Sequence, residues 1–98
     1  MGNADLQQAA LEAELRKEVA ESLGRAEDKV DHALLALELI GRRHDGATGA
    51  AREALAAAYN AARDDALRLR EYLLIQREAL GFLGNDTLER VYPIPPRR

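Results

Sequence analysis

The chain has 98 residues, of which 47% are hydrophobic and 32% charged, a composition typical of one folded domain rather than a disordered segment. It contains no cysteine, which excludes a disulfide framework, a thiolate nucleophile and a thiolate metal site. The net charge of −3 is spread along the chain without the basic stripe that duplex binding requires, so we expect no nucleic-acid partner.

The residue types favour helices over strands. Alanine and leucine supply most of the apolar content, whereas the chain has one Phe, three Tyr and no Trp. No apolar run approaches the roughly 20 residues that a membrane span needs, and the first residues do not have the pattern of a signal peptide. We therefore expect an all-α domain over residues 1–98, no membrane partner and a cytoplasmic location.

The first predicted helix, helix A, covers about residues 5–43. Asp5 and Gln8 have the spacing of a capping box, so the helix is expected to begin there and residues 1–4 to be frayed. The apolar positions then recur at steps of three and four, and from Val19 onward they form a heptad seam. These positions are Leu11, Leu15, Val19, Leu23, Ala26, Val30, Ala33, Leu37 and Ile40.

Gly24 lies inside this seam without changing its phase. A glycine in a helix interior costs only about 1 kcal/mol relative to alanine, so we expect helix A to continue through it. The alternative is a break at Gly24, which would let the first part of helix A fold back and form a monomeric three-helix bundle.

The second predicted helix, helix B, covers about residues 49–83. Gly46 is expected to end helix A in the left-handed conformation, and Thr48 to cap the start of helix B. Helix B again carries apolar residues at steps of three and four, and Gly84 is expected to close it. Because the connecting turn is short, the two helices must form an antiparallel hairpin.

The remaining residues predict a short turn and an extended tail. Asp86 and Glu89 have capping-box spacing, which predicts a single helical turn reaching to Val91. The prolines in residues 92–98 exclude helix and favour an extended polyproline conformation. We expect the start of this tail, Tyr92, Pro93 and Ile94, to pack over the end of the hairpin and the last two arginines to be free.

The strongest functional indication is apolar surface that one hairpin cannot cover. Both helices carry a second set of apolar residues outside the seam, and a helix that is apolar on two faces needs two neighbours. We therefore expect a homodimer that forms a four-helix bundle, with a further protein partner possible at the open end or the tail. The residues expected to contact a partner are Leu35, Leu39, Tyr59, Leu67, Leu74, Gln76, Arg77, Tyr92 and Pro93.

Gln76 is the polar exception at a seam position of helix B. One buried amide can set helix register or partner number at a cost in stability. The alternative function is that of a small helical enzyme or ligand-binding bundle with a polar pocket near Gln76, Arg77 and Tyr72. The two histidines have neither a nucleophile nor a metal-ligand pattern beside them, so we expect no catalytic, cofactor or metal site.

The segment Leu74-Ile75-Gln76-Arg77-Glu78-Ala79-Leu80-Gly81, followed by Tyr92-Pro93-Ile94-Pro95, resembles the carboxy-terminal end of a family of small bacterial helical proteins classed as a domain of unknown function. The resemblance covers about a quarter of the chain. It implies a bacterial origin and carries over no activity and no site residues. Within it, Gln76, Arg77, Glu78 and Gly81 form the polar cluster of interest.

Overall fold

The structure, a computed structural model, describes residues 2–82 and 84–98 of the chain. Within these residues two long helices form an antiparallel hairpin, followed by a short helical turn and an extended tail, and there is no strand. The all-α hairpin is therefore confirmed. The elements are α1 (Asn3–Asp45), α2 (Gly49–Ala79), a 3₁₀ turn (Asn85–Thr87) and α3 (Leu88–Val91).

α1 is a single helix that continues through Gly24, so the alternative three-helix bundle broken at that residue is wrong. The helix begins at Asn3 with Gly2 as its N-cap, two residues earlier than predicted. Asp5 instead lies in the first turn, where its negative charge faces the positive end of the helix dipole. Of the four residues predicted to be frayed, Asn3 and Ala4 are helical and Met1 lies outside the described residues.

The connection between the helices differs from its prediction in one respect. Gly46 caps the end of α1 with φ −90°, in the right-handed region, so the expected left-handed conformation is wrong at this residue. The left-handed glycine is Gly49, the first residue of α2, with φ +60°. Thr48 is the N-cap of α2, as predicted, with an extended backbone. The reversal therefore uses a left-handed residue at the start of the second helix rather than at the end of the first.

α2 ends at Ala79 in a Schellman motif. Gly81 takes the left-handed conformation, with φ +83°. The Gly81 N–H donates to the carbonyl of Glu78 at 3.0 Å, and the Phe82 N–H donates to the carbonyl of Arg77 at 3.0 Å. These two bonds satisfy carbonyls that the helix leaves unpaired at its end.

The predicted end of helix B near residue 83 is therefore wrong. Gly81 stops the helix first, because its positive φ is incompatible with a further helical turn. Gly84, expected to close helix B, has φ +72° and instead precedes the 3₁₀ turn. Leu83 lies outside the described residues. The predicted extent of the short last helix, to Val91, is confirmed.

The core lies between α1 and α2 and is completed by α3. The seam from Val19 onward is confirmed, because its members are buried or half-buried against α2. Leu88, from α3, is buried in the central cluster. Burial of each large aliphatic side chain contributes about 1.5–3 kcal/mol, which makes this cluster the main support of the hairpin. Its buried members are Leu23, Ala26, Val30, Leu73 and Leu88.

Candidate interaction surfaces

The first candidate surface is the amino-terminal part of α1, residues 3–18, which we call the α1 extension. All of these residues are exposed, and half-burial begins only at Val19. The last turn of α2 lies beside Val19 and Leu23, so the α1 extension protrudes beyond the end of the hairpin. It is about 24 Å long at 1.5 Å per residue. The molecule is accordingly elongated, 74 × 21 × 15 Å.

Three leucines in the α1 extension are open to solvent. Leu6, Leu11 and Leu15 are 72%, 54% and 51% exposed. Leu11 and Leu15 precede Val19 at steps of four, so they continue the hairpin seam past the end of α2. An isolated helix of this length is marginal in water, because most helical stability in proteins comes from packing of an apolar face. The α1 extension is therefore a continuation of the seam that lacks its second helix.

The second candidate surface is the tail groove, which α1 and α2 form around Leu34, Leu37 and Tyr59 and which the tail, residues 92–98, occupies. The tail runs antiparallel to α2, since its first residue contacts Arg70 and its last contacts an earlier turn of the helix. The second apolar face of the hairpin is thus partly covered by the chain itself. This cover was not among the predicted alternatives, which were a second copy or a folded-back helix A.

Hydrogen bonds from α2 hold the main chain of the tail. The Arg63 Nε–H donates to the carbonyl of Pro95 at 2.7 Å. The Arg98 N–H donates to Asn60 Oδ1 at 2.9 Å, and Asn60 Nδ2 donates to the Arg98 carbonyl at 3.4 Å. One amide side chain therefore pairs with both main-chain groups of a tail residue. Contacts of this kind fix the position of an extended segment whatever its side chains are.

The start of the tail is anchored at the core. Arg70 Nη1 donates to the carbonyl of Tyr92 at 3.0 Å. The Tyr92 ring packs against the central cluster rather than over the end of the hairpin, where the start of the tail was predicted to lie, and burial, followed by the nearby Glu27 carboxylate, raises the pKa of its hydroxyl. The tail is thus joined to the hairpin at both ends.

The last two arginines are bound, so the prediction that they are free is wrong. Arg97 Nη1 lies 3.1 Å from Asp64 Oδ1. The Arg98 guanidinium carbon lies 4.7 Å from the centre of the Tyr59 ring, and its Nη2 donates to Asp45 Oδ2 at 3.4 Å. A guanidinium over an aromatic face is attracted by the negative charge of the π system. Each arginine therefore has its own partners in the groove.

Tyr59 was predicted to contact a partner, but it is only 2% exposed. Arg98 covers its ring, and Gly41 of α1 lies under it. A Cβ atom at Gly41 would lie 2.9 Å from Arg98 Nη2 and 3.1 Å from Tyr59 Cε2. The absence of a side chain at this position is what lets the ring and the guanidinium approach α1. Tyr59 is therefore an internal residue of the tail groove rather than a contact for a partner.

A buried histidine adds to the charge arrangement at the end of the tail. His44 is buried in the last turn of α1, and its Nδ1–H donates to Asp45 Oδ1 at 3.0 Å. Asp45 thus accepts from His44 with one oxygen and from Arg98 with the other. The His44 hydrogen bond, and then the positive charge of Arg98, outweigh desolvation and hold the pKa of Asp45 below its usual value. The end of the tail is therefore held by a carboxylate that also accepts a hydrogen bond from the last turn of α1.

The polar pocket predicted near Gln76, Arg77 and Tyr72 is not assembled as expected. Gln76 and Tyr72 line a cleft of about 110 Å³ together with residues of α1. Arg77 lies on another side of α2, where its Nε–H donates to Asn85 Oδ1 at 2.8 Å and its guanidinium covers the Phe82 ring at 4.8 Å. Gln76 Oε1 is buried and has no hydrogen-bond partner among the described residues. Arg77 thus holds the segment after α2, while Gln76 leaves a polar atom unpaired at the seam.

The other predicted contact residues fall into two groups. Leu35 and Leu39 are 54% and 52% exposed, and Pro93 is also exposed. Leu67 and Leu74 are half-buried, and Leu74 packs against the central cluster. Sequence reasoning did not find the residues that hold the tail, because no periodic pattern marks them. Those residues are Asp45, Asn60, Arg63, Asp64 and Arg70.

Among residues 2–82 and 84–98, no group of three or more His, Asp or Glu side chains could hold a metal ion. In the same part of the chain, none of the helices is both long and apolar enough to span a membrane. The sequence matches no protein-family model, and comparisons with curated proteins and with solved structures find no match. The resemblance to a bacterial family of helical proteins stays a prediction.

Proposed function

We propose that this protein is a helical interaction module that forms a homodimer through the α1 extension. The observation that carries the proposal is the row of exposed leucines on a helix that protrudes beyond the end of α2. A second copy supplies the missing helix, because the two α1 extensions can lie side by side. A non-catalytic role and a cytoplasmic location are part of the same proposal.

An antiparallel arrangement of the two extensions suits their residues. When Leu11 of one copy lies opposite Leu15 of the other, each leucine gains an apolar neighbour. The pairing therefore covers the exposed apolar surface of both copies.

The free energy of association indicates a weak dimer. Four leucine side chains, two from each copy, are each about half exposed, so their burial would contribute about 3–6 kcal/mol, half of the value for fully exposed side chains. Loss of translational and rotational freedom on association costs about 4–15 kcal/mol. Because the two ranges overlap, we expect a dimer that dissociates on dilution rather than a permanent one.

The four-helix bundle is the competing arrangement. The tail covers part of the apolar face through which the four-helix bundle was predicted to form. Leu35 and Leu39 nevertheless remain exposed on α1. They have the same spacing of four and nearly the same exposure as Leu11 and Leu15. The two leucine pairs are therefore matched, and only their positions along α1 differ.

The test is molar mass by light scattering over a concentration series. We expect wild-type protein to rise from 10.8 kDa toward twice that mass, the Leu11→Lys/Leu15→Lys variant to stay at 10.8 kDa, and Leu35→Lys/Leu39→Lys to behave as wild type. A wild-type mass of 10.8 kDa at millimolar concentration would refute the dimer. If only the Leu35→Lys/Leu39→Lys variant dissociates, the dimer interface is that of the four-helix bundle and not the α1 extension.

A further inference from the structure

We propose that the tail groove is a binding site for extended, proline-containing peptides that carry an arginine pair, and that the chain's own tail occupies this site in cis. The occupant in trans is an extended segment of another protein that carries Pro-Arg-Arg and has apolar residues at the positions of Pro93 and Pro95. This inference does not depend on the homodimer, because the tail groove and the α1 extension share no residue.

The first argument is the main-chain recognition. Asn60 accepts from and donates to the main chain of Arg98, and Arg63 donates to the carbonyl of Pro95. These bonds use groups that every peptide has, but they require an extended backbone at this spacing. Prolines favour that conformation before binding, so little further ordering is needed. The site therefore selects for backbone shape first.

The second argument is selectivity for two arginines. Asp64 faces Arg97, whereas Asp45 and the Tyr59 ring face Arg98. The His44 hydrogen bond keeps the Asp45 carboxylate oriented toward the groove. A peptide that lacked one of the arginines would lose that arginine's contact with Asp64, or with Asp45 and the Tyr59 ring. The groove thus discriminates by side chain at two adjacent positions.

The third argument is that the tail can be displaced. The ion pair between Arg97 and Asp64 is open to solvent, and such pairs contribute little to stability. A space of about 310 Å³ remains beside Pro93 and Pro95, over the apolar floor of Leu34 and Leu37. A foreign peptide with larger apolar residues at the proline positions can fill this space, which the tail does not.

A second copy's tail is the less favoured occupant. An exchange of tails between two copies replaces each contact with an identical one and leaves the same space unfilled. A foreign segment can gain new apolar contacts over Leu34 and Leu37. The balance of contacts therefore favours a partner protein over an exchanged dimer.

The test measures binding of a fluorescein-labelled synthetic peptide, Val-Tyr-Pro-Ile-Pro-Pro-Arg-Arg, by fluorescence anisotropy. It compares full-length wild-type protein with the full-length Arg97→Asp/Arg98→Ala variant, in which the tail is repelled by Asp64 and loses Asp45. A short tether gives a cis segment a millimolar effective concentration, so the tail of the wild type competes strongly. We expect the variant to bind the peptide at least about tenfold more tightly than the wild type does. Circular dichroism checks that its helices are intact.

A charge exchange establishes which site the peptide occupies. This test uses Arg97→Ala/Arg98→Ala, a second variant with an undocked tail, because its tail has no charge that could pair with an arginine at position 64. In this variant Asp64→Arg should weaken peptide binding about tenfold, and a peptide with Asp in the place of Arg97 should restore it. Asp65→Arg is the matched control, because Asp65 is the next residue and pairs with Arg68 outside the groove. It should leave binding unchanged.

Three results would overturn the proposal. The first is that the undocked variant does not bind the peptide at millimolar peptide concentration. The second is that Asp64→Arg and Asp65→Arg weaken peptide binding equally. The third is a dimer that persists in the Leu11→Lys/Leu15→Lys variant but is lost when its tail is undocked, which would assign the groove to a second copy's tail. Failure of the α1-extension dimer alone would leave the peptide measurements unaffected.

Discussion

Two glycines of α1 provide a paired test of how closely the tail and α2 approach this helix. Alanine in place of glycine in a helix interior gains about 0.8–1.0 kcal/mol, because alanine loses less backbone entropy on folding. At Gly24 a Cβ atom would have no neighbour within 4 Å among the described residues, so Gly24→Ala should gain this amount. The free energy of unfolding should therefore rise by about 1 kcal/mol.

Gly41→Ala has the same intrinsic gain but a different environment. Its Cβ would lie 2.9 Å from Arg98 Nη2 and 3.1 Å from Tyr59 Cε2. The guanidinium can move away, but the buried ring cannot do so without disturbing its neighbours, and overpacking of this kind costs about 1–3 kcal/mol. The net effect should be a loss of about 0–2 kcal/mol, which is about 1–3 kcal/mol below Gly24→Ala.

The assay is urea unfolding followed by far-ultraviolet circular dichroism, with both variants and the wild type measured together. The tail contact adds an internal control, because Arg98→Ala removes one of the two close atoms and should reduce the penalty of Gly41→Ala. Equal stabilisation by the two glycine substitutions would refute the reasoning. It would mean that neither the ring nor the guanidinium presses against α1 at this position.

Two further predictions follow from the buried polar groups. Gln76→Met keeps the helix propensity and approximate length of the side chain but removes the unpaired Oε1. Thermal unfolding should therefore show a free energy of unfolding that is higher by about 1–2 kcal/mol, whereas a lower value would mean that the amide is hydrogen-bonded. For Asp45, the folded-state pKa is lowered, so its contribution is present above the unfolded pKa and is lost as the pH falls through the folded one. Acidification should therefore release Arg98, followed as a change in the amide NMR signal of that residue, and Asp45→Asn should remove this pH dependence.

The sequence was sufficient to predict the helices and the seam that joins them. Residues such as Val30 and Leu37 recur at a helical period, and periodicity is a local property that needs no knowledge of the rest of the fold. The short connection is also a local property of the sequence, and it was enough to predict that the hairpin is antiparallel. The end of α2 was misplaced because Gly81 and Gly84 are both suitable C-terminal glycines, and the choice of Gly81 became evident only from its backbone conformation.

The two interaction surfaces depended on tertiary structure. Because α2 ends early, Leu11 and Leu15, which their spacing assigns to the seam, have no helix beside them among the described residues. The tail groove joins residues far apart in the chain, such as Asp45 and Arg98, which are 53 positions apart. Local sequence specifies which face of a helix is apolar, but it does not specify which distant segment covers that face. That choice depends on where the chain is brought after α3, and so only the packed structure shows that Tyr59 is covered by the protein's own tail.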